Sequence, residues 1–460
     1  MREKNSVKNV FPAKYEKPTI VRHSVGLMNK FGRIPNSVSF GKIDGVSITE
    51  LMNNFGSPLY VVSEGALRRK YKEMYRAFSL RYPKVVISYS YKTNYLSGVC
   101  AILHTEGAYA EVVSGFEYDI AMSLSVPGNK IIFNGPYKTK AELKRAIEGT
   151  SKINIDSYEE MQLIEEIAEE LGKKVKIGVR INMELNYPPW DRFGFNLESG
   201  QAFEAVKRVM ASSHLEVCGL HIHAGTYISD VNTYSKLAEK LVSFCAKLQS
   251  ELNVKLEYLD IGGGYASKNT LHNQWMSAEW TCPSFDQYAE AICPIILKGP
   301  FKPQNMPTLI LEPGRSIVDE AMFLLTSVVS VKRLSNGSKG VVIDAGVNLI
   351  PTAWWYRHDI LPIKEWSGIT EDVAILGPLC MQIDVIRQNV SLPPLVRGDI
   401  LVIKNVGAYN FSQSMQFIQR RPPVILINEG NVEQLKQAET TEYIKQLEKV
   451  PDRLLKSPYK

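Results

Sequence analysis

The feature that most constrains the fold is a regular alternation of short β-branched segments and longer amphipathic segments between about residue 60 and residue 315. Strands that alternate with helices form right-handed parallel βαβ units, and eight units are what a closed (β/α)8 barrel requires. The sequence therefore predicts an α/β fold with a TIM-like barrel, and a doubly wound open sheet is the alternative. The eight predicted strands are 85–91, 109–113, 130–134, 153–156, 174–182, 216–223, 257–261 and 308–312.

Two of the intervening helices have a defined start in the sequence. Thr139 with Glu142, and Ser157 with Glu160, have the spacing of a capping box, in which a hydroxyl and a carboxylate each accept a backbone N–H. We therefore expect helices to begin directly after Thr139 and after Ser157.

The pattern changes after Arg315 to strand-like runs, with no helical pattern until about residue 431. The stretch 37–48 also reads as strands, which we expect to pair with this C-terminal sheet and make the β domain discontinuous. The predicted organisation is an N-terminal extension with strands that join the β domain (1–57, irregular to about residue 35), the barrel (58–325), and a β domain with a C-terminal helix (326–460). The strand-like runs are 323–331, 340–350, 372–379, 399–409 and 423–430.

Charge and cysteine content exclude several classes of protein. The 54 Lys and Arg residues exceed the 48 Asp and Glu residues by only +6, without one long basic block, so nucleic acid is not an expected partner. The 6 cysteines show no CxxC spacing, which argues against a disulfide framework and against zinc. No apolar run has the length that a membrane span needs. We therefore expect a cytoplasmic enzyme with a small-molecule substrate.

Phosphate binding is indicated at one end of the predicted barrel. Chemistry in such barrels gathers at the C-terminal ends of the strands, and phosphate sites recur after strands seven and eight. Here Gly262, Gly263 and Gly264 follow strand seven, and Gly314 and Arg315 follow strand eight. A glycine triplet alone is more often a turn. Because Arg315 adds a charge-assisted fork at the same end, we favour an anion site.

Lys92 extends this interpretation to a cofactor. It ends a nearly apolar strand, where burial would lower the pKa of its amine and favour Schiff-base chemistry; a lysine that snorkels to the barrel rim is the alternative. A phosphate site beside a buried lysine indicates pyridoxal phosphate. Glu312 could then keep the pyridine nitrogen protonated, although a purely structural carboxylate is equally compatible with its position.

His221 and His223 lie on one face of strand six, because strand side chains alternate with period two. A metal site is one interpretation, but no third ligand stands at a suitable spacing, and we expect no metal. A buried structural pair is another. We favour an imidazole that stacks on the cofactor.

Together these segments resemble the pyridoxal-phosphate-dependent decarboxylases of the alanine-racemase-like fold (fold type III), most closely the diaminopimelate decarboxylase branch. The resemblance extends from about residue 37 to 427. It rests on YSYKTN around Lys92, AEVVSGFE (110–117), IIFNGPYK (131–138), GLHIHAGT (219–226), LDIGGGY (259–265), EPGRSIV (312–318), GPLC (377–380) and GAYNFS (407–412).

The resemblance implies a role for each matching residue. Lys92 would carry the cofactor, His223 would stack on its ring, and Glu312 would bind the pyridine nitrogen. Cys380, which alone would pass for a small buried hydrophobe, would return a proton after carbon dioxide leaves. It also implies a twofold homodimer in which each barrel receives the GPLC segment from its partner. The implied phosphate ligands are Gly262, Gly263, Gly264, Gly314, Arg315, Tyr409 and Thr226.

The sequence differs from the branch at positions that would recognise the substrate side chain. Met381 follows Cys380 where the branch has a carboxylate, although Asp384 is kept. The arginine expected after IDAGVN is absent, and Pro351-Thr352 stands in its place. The zwitterionic far end of diaminopimelate would then face an apolar pocket, which is unfavourable because charged groups lose their hydration there. Arg192 or Arg357 could take the place of the missing arginine, and Tyr356 is a further expected substrate contact. Trp354, Trp355 and Met381 would form an apolar side of the substrate pocket.

The sequence thus predicts a pyridoxal-phosphate-dependent carboxy-lyase. Its departures favour an amino acid or amino-acid conjugate other than diaminopimelate, in specialised metabolism such as siderophore or antibiotic biosynthesis. The alternative is diaminopimelate decarboxylase of lysine biosynthesis. A non-catalytic cofactor-binding protein or a racemase of the same fold is a further alternative. Glu312 argues against a racemase, and retention of Lys92 and Cys380 argues against a protein without activity.

Overall fold

The computed structural model describes residues 40–185, 187–366 and 370–455, and the backbone of 28–29 and 32–33. Met28–Asn29 and Gly32–Arg33 pair as an antiparallel ladder. The rest of the irregular extension expected over residues 1–35 lies outside the described residues.

The centre of the molecule is a closed barrel of eight parallel strands, as predicted. Each strand pairs with the next along the chain, and the first also pairs with the eighth, which closes the barrel and excludes the open doubly wound sheet. The strands are Val85–Ser90, Tyr109–Val112, Ile131–Phe133, Lys152–Ile155, Val175–Asn182, Leu215–His221, Tyr258–Asp260 and Thr308–Leu311.

Helices cover the outside of the barrel. Thr139 forms the full capping box with Glu142. Ser157 also caps its helix, but Glu160 turns away from it: its carboxylate accepts hydrogen bonds from Lys138 Nζ (2.6 Å) and from the N–H of Asp156 (2.9 Å). None of the helices in the described ranges is both long enough and apolar enough to cross a membrane. The longer helices are Glu64–Ser79, Ser97–Thr105, Gly115–Ser123, Lys140–Glu148, Tyr158–Glu170, Gln201–Ala211, Val231–Leu252 and Phe285–Leu297.

A separate β sheet follows the barrel, and one of its strands comes from before the barrel. That strand is Leu59–Ser63, which pairs with Met322–Arg333 on one side and Val424–Asn428 on the other. The segment 37–48, expected to pair with this sheet, does not supply that strand, but in its described part Phe40 donates its N–H to the carbonyl oxygen of Pro362 in the sheet at 3.2 Å. Within its described part, Lys42–Ile43 and Val46–Ser47 pair with each other, because positive φ angles at Asp44 and Gly45 close a tight hairpin that packs on the sheet.

The C-terminal helix begins at Thr441 rather than near residue 431, where the sequence indicated it. Polar residues after 431 have good helix propensity, but positive φ angles at Glu429 and Gly430 turn the chain back, and Asn431–Lys436 pairs with the preceding strand. Within the described part of this stretch, up to residue 455, Thr441–Lys445 is α-helical and Asp452–Leu454 is a single 3₁₀ turn. The remaining strands of the β domain are Lys339–Ile343, Ile360–Pro362, Glu371–Leu376, Val385–Leu392 and Ile400–Ile403, of which the second and fourth were not predicted.

Candidate active site

A cavity of about 380 Å³ opens at the C-terminal ends of the barrel strands, where the sequence placed the chemistry. Many of the predicted site residues line it, although they come from distant parts of the chain. These are Lys92, Arg192, His223, Thr226, Gly264, Glu312, Gly314, Arg315 and Tyr409. Gly262 and Gly263 lie directly behind its wall, next to His223.

Lys92 stands in a single 3₁₀ turn, Tyr91–Thr93, directly after the first barrel strand. Its Nζ lies 2.8 Å from Oε2 of Glu111, which also accepts a hydrogen bond of 2.5 Å from Ser90 Oγ. The expectation of a lowered pKa for Lys92 is wrong, because its pKa is raised. Burial is the largest single effect and acts to lower the pKa, but Glu111, Tyr409 and Glu312 together outweigh it and hold the pKa of Lys92 above its ordinary value.

Glu312 is a buried carboxylate with several donors around it. Its Oε1 accepts a hydrogen bond of 2.6 Å from Asn134 Nδ2, and its Oε2 lies 3.3 Å from His221 Nε2. Burial alone would raise the pKa of Glu312, but His221 and Lys92 hold it well below its usual range. The side chain is therefore ionised, which is the state needed to hold a protonated pyridine nitrogen.

The two histidines have different environments. Nδ1 of His223 accepts the N–H of Gly263 at 3.1 Å, so the ring carries its proton on Nε2. Burial and the charge of Lys92 lower the pKa of His223 well below its usual value, and the neutral ring packs against Trp190 at a centroid distance of 5.2 Å. His221 instead meets Glu312 and Asp260, with potential ligand atoms all within 4.8 Å of one another. Two carboxylates from other strands, Asp260 and Glu312, thus lie near His221 rather than near His223, and the three residues could together hold a metal ion.

The glycine run satisfies a packing requirement as well as lining the cavity. Gly262 and Gly264 have φ angles of 67° and 97°, which residues with a side chain rarely adopt. A Cβ at either position would lie 2.5 Å from a backbone carbonyl oxygen. The run is therefore a tight turn, and Gly264 lines the same cavity as Arg315; the anion site stays a prediction.

Arg315 provides the test of whether the site fits a phosphate. Its guanidinium is buried between the rings of Tyr356 (4.7 Å) and Tyr409 (5.2 Å), with an Asp319 oxygen 3.5 Å from Nη1. Within the described residues, Nε and Nη1 have no hydrogen-bond partner. Buried charged donors without an acceptor are unfavourable, so the residues fit an anionic group. Tyr356, expected to contact the substrate, packs on Arg315 instead.

Several predicted site residues lie away from the cavity of their own chain. Cys380 is exposed, and Met381 packs partly against the core. The carboxylate of Asp384, expected to bind substrate, accepts the backbone N–H groups of Val347 and Leu379, each at 2.7 Å, and so holds the GPLC loop in place. The remaining one, Arg357, donates to the carbonyl oxygens of Leu271 and Gln274.

Some cavity residues received no role from the sequence. Glu111, Asn134 and Arg180 all line the cavity, and Arg180 is held by Asp156 Oδ1 at 2.8 Å. Each stands at the end of a barrel strand, so strand-end polarity was a signal that could have assigned them. Trp190 lies in an irregular loop, and nothing in its spacing indicates the cavity.

Comparisons with known proteins agree with this geometry. Residues 64–319 match the family model described as pyridoxal-dependent decarboxylase, pyridoxal binding domain. Diaminopimelate decarboxylase of Methanocaldococcus jannaschii is 34% identical, with 90% of this chain and 96% of the relative covered. The same enzyme of Aquifex aeolicus is 31% identical, with 87% and 94% covered.

Solved structures give the same result. The Methanocaldococcus jannaschii diaminopimelate decarboxylase in co-complex with L-lysine superposes with a TM-score of 0.83 at 33% identity, covering 90% of this chain and 96% of that one. The Helicobacter pylori enzyme complexed with L-lysine superposes with a TM-score of 0.78 at 25% identity, covering 87% and 98%. The chain therefore belongs to the pyridoxal-dependent decarboxylases of fold type III, carboxy-lyases whose cofactor is pyridoxal phosphate.

Proposed function

We propose that the protein decarboxylates diaminopimelate. The observation that carries the proposal is the near full-length similarity to diaminopimelate decarboxylases, with 34% identity over 430 residues in one of them. Two solved relatives hold L-lysine, which is what remains when one end of diaminopimelate loses its carboxylate as carbon dioxide. These comparisons favour the alternative that the sequence left open over its leading expectation of a different substrate.

The cavity residues can be given roles in this reaction. Bound pyridoxal phosphate supplies an electron sink for the electron pair that the departing carboxylate leaves behind. Lys92 would hold the cofactor through its amine, and the anionic Glu312 would keep a proton on the pyridine nitrogen. The neutral ring of His223 would support the cofactor without adding a charge.

The phosphate end is held by a different set of groups. Among the described residues, Nε and Nη1 of Arg315 have no hydrogen-bond partner, although Nη1 forms an ion pair with Asp319 at 3.5 Å, and two tyrosine rings pack on the guanidinium. Gly264, Gly314 and Thr226 line the same cavity. An arginine fork with bare backbone beside it is well suited to phosphate.

Proton return requires a second copy of the chain. Cys380 is exposed in its own subunit, while its loop is held rigidly by Asp384. A homodimer that seats this loop over the partner's barrel would bring the thiol to the reacting carbon. The exposure of Cys380 in its own subunit supports the proposal that two subunits share each active site. The cytoplasmic location stays a prediction from composition.

The experiment is to load the purified protein with pyridoxal phosphate, supply diaminopimelate, and measure carbon dioxide and L-lysine together. Equal amounts of the two products, abolished in Lys92→Ala, are expected. A loaded protein that releases no carbon dioxide from diaminopimelate but does so from another amino acid would contradict the proposed substrate.

One observation favours a second candidate, an amino acid or conjugate with an uncharged far end, as in siderophore or antibiotic biosynthesis. Thr352 stands in the segment where the branch has an arginine. Its buried Oγ1 is already hydrogen-bonded to Asn410 Oδ1 (2.7 Å) and His358 Nε2 (2.9 Å). Met381 likewise provides no charge after Cys380. A side-by-side measurement of kcat/KM for diaminopimelate and for amino acids with apolar or conjugated side chains decides between the two candidates.

A further inference from the structure

Beneath the cavity, two carboxyl groups lie side by side in the barrel. Asp260 and Glu312 are both almost completely buried, and a carboxylate oxygen of each lies within 4.8 Å of one on the other. Two buried carboxylates this close repel each other when both are ionised, and a hydrogen bond between them requires that one of them carries a proton. A proton shared by this pair is therefore the expected state.

The surroundings show which carboxyl group carries it. Glu312 already accepts from Asn134 at 2.6 Å and faces His221 at 3.3 Å. In the part of the chain that the structure describes, Asp260 Oδ1 accepts the N–H of Gly262 at 3.0 Å, and the buried Oδ2 has no hydrogen-bond partner. The groups best able to stabilise a negative charge thus converge on Glu312.

The other ionisable groups around Asp260 do not favour its ionisation. Glu111 adds a second negative charge, and the phenols of Tyr258 and Tyr265 lie nearby in buried positions. Lys92 is paired with Glu111 at 2.8 Å, and its charge favours the ionised form of Glu312.

We propose that Asp260 is a neutral carboxylic acid whose Oδ2 donates a hydrogen bond to Glu312. Asp260 is then a positioning residue: it touches neither substrate nor cofactor, but it lowers the proton affinity of Glu312. Glu312 remains an anion and does not remove the proton from the pyridine nitrogen that it faces. The inference rests on the cofactor of the family and on the assigned position of Glu312, and it is independent of which amino acid is the substrate.

The directions of the two pKa shifts agree with this assignment. Burial, and then the charge of Glu312, raise the pKa of Asp260 well above its usual range. The pKa of Glu312 is held well below its usual range despite burial. Burial therefore penalises the charge on Asp260, while Glu312 has the donors that its charge needs.

The direct test is infrared difference spectroscopy of the protein without cofactor, wild type minus Asp260→Asn. Asparagine has the same shape and can donate to Glu312 and accept from Gly262, but it has no carboxyl group. The measurement is made well above the pKa of about 7 of Glu117, so that this buried acid is ionised. The difference spectrum should contain the carbonyl band of a protonated acid. A difference spectrum with only an ionised carboxylate would overturn the proposal.

Two further variants keep the test independent of folding and of substrate identity. In Glu312→Gln the amide can donate to Asp260, which should ionise, so the protonated-acid band should vanish there too. In the loaded enzyme, Asp260→Ala should lower the decarboxylation rate roughly tenfold through loss of one charge-assisted donor. Asp260→Asn should recover most of that loss, and failure to recover it would also contradict the proposed donor role.

A metal ion is the rival explanation, because His221, Asp260 and Glu312 could together bind one. Equilibrium dialysis of the wild-type protein and of Asp260→Asn against Zn²⁺ separates the two ideas. We expect no stoichiometric Zn²⁺ that depends on Asp260. If the wild-type protein bound Zn²⁺ tightly and Asp260→Asn did not, a cation rather than a shared proton would lie between the two carboxylates, and the proposal would be overturned.

Discussion

Replacing Arg315 with Met tests the phosphate assignment most directly. The guanidinium has two N–H groups, Nε and Nη1, that no described residue accepts, and a phosphate would accept both. A hydrogen bond between charged partners contributes about 1.5–3 kcal/mol, so two bonds correspond to about 3–6 kcal/mol. This is a loss of cofactor affinity of about 10² to 10⁴-fold.

The assay should separate the phosphate contribution from the covalent bond at Lys92. Pyridoxal and pyridoxal phosphate react with the same amine, so the ratio of their dissociation constants reports the phosphate contacts alone. Arg315→Met should lower the preference for the phosphorylated form by at least about 100-fold. Arg192→Met is the matched control, because Arg192 lines the same cavity but is exposed.

The control should keep the wild-type preference. Circular dichroism and thermal unfolding should show that Arg315→Met is folded, since its side chain also packs between Tyr356 and Tyr409. A folded variant with the wild-type preference for phosphate would refute the reasoning, because the two free donors would then not be the phosphate ligands.

The remaining predictions concern catalysis, assembly and pH. Glu312→Gln should lower kcat by about 100-fold or more while cofactor affinity changes little, since the pyridine nitrogen matters in the transition state; wild-type turnover would contradict this role. Mixed Lys92→Ala and Cys380→Ala subunits should regain roughly a quarter of wild-type activity, because half of the dimers hold one intact site; no recovery after verified exchange would rule out the shared site. Burial raises the pKa of Glu117 from 4.5 to about 7, so its native state binds a proton more tightly than the unfolded chain. It therefore lowers the free energy of unfolding by about 3 kcal/mol as pH rises through that interval. Urea unfolding of Glu117→Gln should lack this loss, and equal pH dependence in both proteins would contradict it.

How far the sequence leads is clearest at Lys92. Its place after an apolar strand correctly put it in the cavity, because the strand pattern is local and periodic. The direction of its pKa shift could not be read in the same way. That direction depends on Glu111, a residue 19 positions away whose carboxylate lies 2.8 Å from the amine only after two strands pair. Coulomb energies depend on distance in space, and the sequence contains only separation along the chain.

The same distinction applies to whole segments. The sequence by itself predicted the eight-stranded barrel and the β sheet after it from side-chain periodicity, and it placed Lys92, Glu312 and Arg315 at the end of the barrel where the cavity opens because they follow barrel strands. Only the tertiary structure decided that Leu59–Ser63 joins the C-terminal sheet, that Asp260 and Glu312 come within 4.8 Å of each other, and that Cys380 is exposed and does not line the cavity of its own subunit. These features depend on which distant segments come into contact, and a local pattern cannot specify its partner.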